Sequence, residues 1–438
     1  MIGILTLAHA EHIFVAQEPL GAATGADAAD AYGVVFFNRA ANWHSPAKIA
    51  GRIGQGDTVN LVGTLSTSLI IQGNGTPNAP ITILFEEGAK LSASAWDTGP
   101  RSAMFADSKS CITIDGNGTG IVECIANGDG LAHRRPACAI DLVGSPTTRN
   151  WMIKNLIVRN LYVHLFGSDS APRLCRGISC MDISNVEISG CSVDNACTGI
   201  SLSTENVRLV CDLKVHDNII SACSTGVMVA LGADGTSIEN VSLRHNTVTM
   251  GRNWYDPADR NHLDGFHVFG RPATDDAIVH LDVSSNRING DPSGHCTAGI
   301  YLEYEVISPT VCNNSLADET NHPSAGYVDI KRISGRRAQS NPLISHNTII
   351  GVSSKNSGGN AIYLDTTPND RVRINGNIFS ACYAGIYDPN GVDQLESDYN
   401  DFHNLGLIGV RGTTCTSLTR WQMVTGGDAH SSTRDPTR

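Results

Sequence analysis

The chain has 438 residues, a formal net charge of -12 and 31 Lys+Arg against 43 Asp+Glu. That balance excludes a nucleic-acid binder, whose phosphate contacts need a concentrated basic face. Its apolar runs are all shorter than the roughly 18 residues a membrane helix needs, so neither nucleic acid nor a membrane is an expected partner.

The N-terminus, Met1-Ile-Gly-Ile-Leu-Thr-Leu-Ala8-His-Ala10, is a short apolar run ending in an A-x-A pattern. It reads as the remains of a secretory signal without a basic n-region, and the expected location is extracellular. Residues 1-55 form a segment without the later repeat, with a short helix expected within residues 28–53. An open solenoid end exposes unpaired strand edges, so such a segment would serve as a cap. Opening strands follow at Gly56-Asp57-Thr-Val-Asn-Leu61, Ala79-Pro80-Ile-Thr-Ile-Leu-Phe85 and Ile112-Thr-Ile-Asp115. Gly116-x-Gly118-x-Gly120 reads as a turn between strands, because no helix opens after it as a nucleotide loop would require.

From Asn218 onward one phrase recurs: aliphatic strand, Asn, aliphatic strand. The copies are Val215-His-Asp-Asn218, Leu243-Arg-His-Asn246, Val283-Ser-Ser-Asn286, a weaker one at Asn314, Ile344-Ser-His-Asn347, Ile374-Asn-Gly-Asn377 and Asp398-Tyr-Asn400. Successive asparagines are 23 to 40 residues apart, too irregular for helical repeats but suited to coils with loops of varying length. Asn tolerates left-handed backbone geometry at such a turn, and stacked amides can hydrogen-bond from coil to coil. Cys197, Cys223, Cys296 and Cys382 share one place in the repeat, just before a Gly-aliphatic strand, and are expected to stack inside as unpaired small hydrophobes. No zinc spacing occurs among the thirteen cysteines.

The strands after each Asn turn include Gly199-Ile-Ser-Leu202, Gly226-Val-Met-Val229, Gly265-Phe-His-Val268, Gly299-Ile-Tyr-Leu302, Tyr327-Val-Asp-Ile330, Ala361-Ile-Tyr-Leu364 and Gly385-Ile-Tyr387. With the aliphatic residues inward, the alternate residues form an outward column at about 4.8 Å per strand: Ser201, Met228, His267, Tyr301, Asp329, Tyr363, Tyr387. A second column reads Ala230, Phe269, Glu303, Lys331, Asp365. The longest interval holds the densest polar run, from Trp254 and Tyr255 through Asp259, Arg260 and His262 to Asp264, in the loop entering the His267 strand.

The Asn phrase, the short Val/Ile/Thr strands and the coil length together resemble the right-handed parallel β-helix of the pectate lyase superfamily, over roughly residues 57 to 435. The resemblance implies an all-β solenoid with a short N-terminal cap and a short C-terminal helix: cap 1-55, parallel β-helix 56-405 and closing segment 406-438. Ser417 to Gly426, followed by Asp428-Ala-His430 and Asp435-Pro436, resembles the family's closing helix before a last strand. The resemblance also implies an extracellular enzyme degrading polysaccharide, with its groove on the first-strand face. Tyr255-Asp256-Pro257 and Asp259-Arg260 resemble the Asp-Pro-His signature of β-helix alginate epimerases, but Ala258 stands where the His belongs, so that assignment is not carried over. The motifs of polygalacturonases are absent.

Two chemistries fit the columns. For β-elimination on a uronate polymer, the base and acid candidates are His267, Tyr301 and Lys331, with Arg260 or Arg332 holding the substrate carboxylate. For inverting hydrolysis, Asp264, Glu303 and Asp329 supply the carboxylate pair. Tyr255, His262 and Tyr363 would line the substrate. Glu303 and Asp365 disfavour Lys331 as a base unless a calcium ion at Asp264, Glu303 or Asp329 neutralises them. Elimination is the leading expectation and hydrolysis the alternative. A non-catalytic glycan-binding fibre is third, and a monomer is expected.

Overall fold

The computed structural model describes residues 10–44, 49, 51–165, 174–254, 263–271, 276–290, 297–317, 326–331, 341–351, 359–365 and 370–435. Each coil contributes one strand to each of three sheets, which hold 15, 12 and 13 strands among the described residues. One coil runs Leu209–His216, Ile219–Cys223, Thr225–Leu231. Each of these strands pairs in parallel with its counterpart in the next coil. Alternate residues point into a single apolar core that extends from Ile13 to Trp421, so every strand needs only a period-two pattern to be held.

The Asn column forms a continuous hydrogen-bonded ladder. The side-chain amide of Asn218 donates to Asn246, and the chain continues through Asn286, Asn314, Asn347 and Asn377 to Asn400, each link at 3.0–3.1 Å. Each amide also donates to a backbone carbonyl, such as that of Val283 for Asn314 at 2.8 Å. The ladder asparagines do not adopt the left-handed conformation. That falls on the residue before: Asp217, His245, Ser285, Asn313, His346, Gly376 and Tyr399, with φ between 54° and 67°. The turn thus uses two residues, one for the bend and one for the amide.

Gly177, Gly199, Gly226 and Gly265 open successive strands of the third sheet. A Cβ at any of them would lie 2.4–2.6 Å from the carbonyl oxygen of the glycine one coil on, so only glycine permits the approach. This contact locks the register of the outward columns that follow it. The described cysteines are unpaired; Cys223 and Cys382 are buried, while Cys197 is half-buried against the core rather than enclosed by it. Burial pushes the Cys223 and Cys382 thiols up to about 12. Cys296 lies outside the described residues.

At the N-terminal end a helix spans Val34–Asn38, and Phe37 meets Trp43 edge-on at 4.9 Å. The same segment also supplies a strand, His12–Ala16, which pairs in parallel with Thr58–Leu61, so the first sheet reaches back beyond the repeat. Gly116-Asn-Gly118 is a turn between strands Ile112–Asp115 and Ile121–Cys124. The C-terminal helix is Leu418–Thr425, with Ser417 accepting from the Arg420 amide and Gly426 closing it at φ 72°. The Trp421 indole donates to one oxygen of Asp428 at 2.8 Å. The other oxygen accepts from Asn400 at 3.1 Å, so Asp428 terminates the ladder.

Candidate active site

The third sheet carries strands Asp264–Phe269, Ala298–Glu303, Gly326–Lys331, Asn360–Asp365 and Ala384–Asp388 side by side. Their register aligns His267, Tyr301, Asp329, Tyr363 and Tyr387 in one row and Phe269, Glu303, Lys331 and Asp365 in the next. Both rows are those the alternation predicts. Their flanking residues Phe266, Val268, Ile300, Leu302, Val328 and Ile330 belong to the core, and the rows themselves do not.

Accessibility departs from the expectation of an open face. Asp264 is 0% exposed and Tyr301 and Asp329 are each 3% exposed, although all three stand outside the core cluster. His267, Glu303, Lys331, Tyr363 and Tyr387 are half-buried. Along the first row burial is thus greatest at Tyr301 and Asp329 and lessens toward the two tyrosines. Tyr363 and Tyr387 stack on one another at 5.4 Å with 12° between their planes, so their faces are turned along the solenoid axis.

Two carboxylates hold His267. Nδ1 lies 3.3 Å from Asp264 and Nε2 lies 3.4 Å from Glu303. Its ring is 4.9 Å from Tyr301 and 4.8 Å from Phe269. Asp264 also accepts from the Ala298 amide at 3.2 Å. Burial, the charges of Glu303, Asp329 and Asp264, and a hydrogen bond to Glu303 push the Tyr301 phenol far up.

Among the described residues the buried Oδ1 of Asp329 has no hydrogen-bond partner. Burial raises its pKa to about 7; Lys331 opposes the rise, and Asp264, Asp365 and Glu303 add to it. At neutral pH the carboxyl is therefore close to half protonated, the condition in which an acid can both hold and release a proton. Lys331 faces Glu303 on one side and Asp365 on the other, and Asp365 accepts from Asn390 at 2.8 Å.

Of the other sequence-predicted site residues, Tyr255, Arg260, His262 and Arg332 lie outside the described residues. Among the described residues, no three His, Cys, Asp or Glu side chains converge to hold a metal ion. Sequence reasoning missed the anchor of the loop entering this face. The Trp254 indole donates to the Ala222 carbonyl at 2.8 Å and meets His164 edge-on at 4.8 Å. His164 Nδ1 is 2.7 Å from one oxygen of Asp129, and the Tyr162 hydroxyl donates to the other at 2.8 Å. These residues are distant in sequence and share no repeat position, so no spacing signal reveals them.

The family described as "Right handed beta helix region" matches residues 101–272. The chain is a right-handed parallel β-helix. No curated protein matches its sequence. Among solved structures, this β-helix is similar to the native GH136 lacto-N-biosidase from Eubacterium ramulus, with TM-score 0.55 and 10% identity over 97% of this chain and 67% of that one. It is also similar to the alginate lyase from Paenibacillus sp. str. FPU-7, with TM-score 0.40 and 13% identity over 79% of this chain and 92% of that one. At these identities the likeness is one of fold.

Proposed function

We propose that this β-helix is a glycoside hydrolase acting on a polysaccharide laid across its third sheet, with Asp329 as general acid and Glu303 as the opposing carboxylate. The observation that carries the reading is the buried Asp329 carboxyl, with one oxygen unpartnered among the described residues and a pKa of about 7. Hydrolysis of a glycosidic bond needs one carboxyl kept protonated and another kept ionised. Glu303 accepts from His267 and Tyr301, which favours its ionised form. The two residues are diagonal neighbours on adjacent strands. Strand spacing and rise put their Cα atoms about 8 Å apart, compatible with the roughly 6.5–9.5 Å between carboxyls of inverting pairs.

The reverse holds for elimination, which needs a ready base. His267 is bound by two carboxylates, the Tyr301 phenol is pushed up, and Lys331 stands between two acids. β-Elimination is nonetheless the second reading, supported by the His267–Tyr301 ring contact beside Lys331. Secretion and a monomeric state belong to the same proposal.

A panel of neutral and uronate polysaccharides, scored for reducing ends and for ultraviolet absorbance of the unsaturated product, tests it. Hydrolysis predicts reducing ends without absorbance, abolished in Asp329→Asn. An absorbing product that survives Asp329→Asn would contradict it, and binding without either signal would favour a glycan-binding fibre. A chelator arm decides whether calcium at Asp264, Glu303 or Asp329 has any part.

A further inference from the structure

The first sheet, on another side of the solenoid, carries a second built feature. Cys111, Asn150, Asn185, Asp212, Asn240, His280 and Ser308 each adopt a left-handed conformation, with φ between 51° and 64°. The register places them in one row across seven consecutive strands. Some are linked side chain to side chain, as Asn185 to Asn150 at 2.6 Å and Asn240 to Asp212 at 3.1 Å. The row of bends stops after Ser308. Its next positions are Asn341, Arg371 and Gln394, none of them left-handed. Where bent strands give way to straight ones the surface opens into a cleft of about 600 Å³ lined by Ser308, Thr310, Asn341, Arg371, Arg373 and Gln394.

We propose that this cleft is a secondary binding site for an acidic saccharide chain. Its lining contains hydrogen-bonding side chains only, four neutral and two cationic, on a protein whose net charge is -12. Arg371 is tied to Glu396, with Nε at 2.9 Å. Arg373 makes no ion pair with a described residue, and its guanidinium is the group that would take a sugar carboxylate or sulfate in a fork. The neutral amides and hydroxyls suit sugar hydroxyls. Successive coils are about 4.8 Å apart, near the length of one pyranose unit, so a chain crossing these strands can present each residue to one coil. The site is independent of which cleavage chemistry the third sheet performs.

Affinity electrophoresis of the full chain in native gels tests it, with polygalacturonate, alginate, fully methyl-esterified polygalacturonate, double-stranded DNA and no polymer as lanes. Wild type and Asp329→Asn should both be retarded by an acidic polymer and not by the neutral ester. Arg373→Ala should weaken retardation about tenfold, the loss expected for a hydrogen bond to a charged group, at unchanged melting temperature. Arg373→Lys should fall between, because it keeps the charge and loses the fork. Equal retardation of Arg373→Ala and wild type would overturn the proposal, as would retardation by neither acidic polymer. Equal retardation by double-stranded DNA would overturn it as a general polyanion surface. Arg373-dependent stabilisation by inorganic sulfate without retardation by polymer would overturn it in favour of a small-anion site.

Discussion

The asparagine ladder and the Asp329 row repeat polar residues at the same coil spacing and end in opposite states. In the ladder every amide has partners: Asn314 donates to Asn347 and to the Val283 carbonyl, and accepts from Asn286. In the Asp329 row the carboxyl is equally buried, yet one oxygen is unpartnered among the described residues. A fold able to satisfy seven stacked asparagines has the means to satisfy one aspartate. Buried unsatisfied groups cost stability and concentrate where function requires them. The ladder is therefore structure, and the contrast supports the proposal that the row is the site.

The largest expected effect follows from the acid role. Asp329→Asn removes the proton and keeps the shape, and hydrolytic kcat/KM should fall about 10²–10⁴-fold. In wild type the rate should decline as pH rises through about 7, the protonated form being the active one. A pH-rate series on both proteins checks this.

Stability should move the other way. The folded carboxyl binds its proton more tightly than the unfolded one, with pKa about 7 against 3.8. Asp329 thus costs nothing below about pH 4, its cost grows up to about pH 7, and it is constant above. The full difference is at most roughly 4 kcal/mol. Asp329→Asn should melt higher than wild type at pH 8, and the gain should vanish near pH 4. Asn314→Ala strips partners from two neighbouring coils and should cost about 3 kcal/mol at every pH, read in the same melts. The contrast in pH dependence separates the two regions.

The smallest effect is at the less buried end of the row. Tyr363→Ala breaks the stack with Tyr387 and should cost about 1 kcal/mol, measured by denaturant midpoint, with a rise in KM and little change in kcat.

Much of this was legible because a solenoid repeats its signals. Period-two alternation together with the stacked glycines set both outward rows residue by residue, and the recurring Asn gave every rung of the ladder. The left-handed turn residue stands one position before the Asn and carries no sequence signal, because its identity varies from Asp217 to Tyr399 while the amide beside it does not. The second row of bends has a weaker signal: Asn150, Asn185 and Asn240 each precede an apolar residue, but Cys111, Asp212, His280 and Ser308 hold the same position without a shared residue type. His12–Ala16 alternates as a strand should but stands outside the repeat. What no periodicity carries is burial on an outward face. Tyr301 and Asp329 occupy the same kind of position as Tyr363 and Tyr387, and their enclosure depends on the surroundings of particular coils.

The central claim is that Asp329 holds a proton near neutral pH. Infrared difference spectroscopy, wild type minus Asp329→Asn, reads the protonated carboxyl band directly across a pH series. A band that disappears in a single titration centred near pH 7 is predicted; its absence above pH 5 would contradict the account.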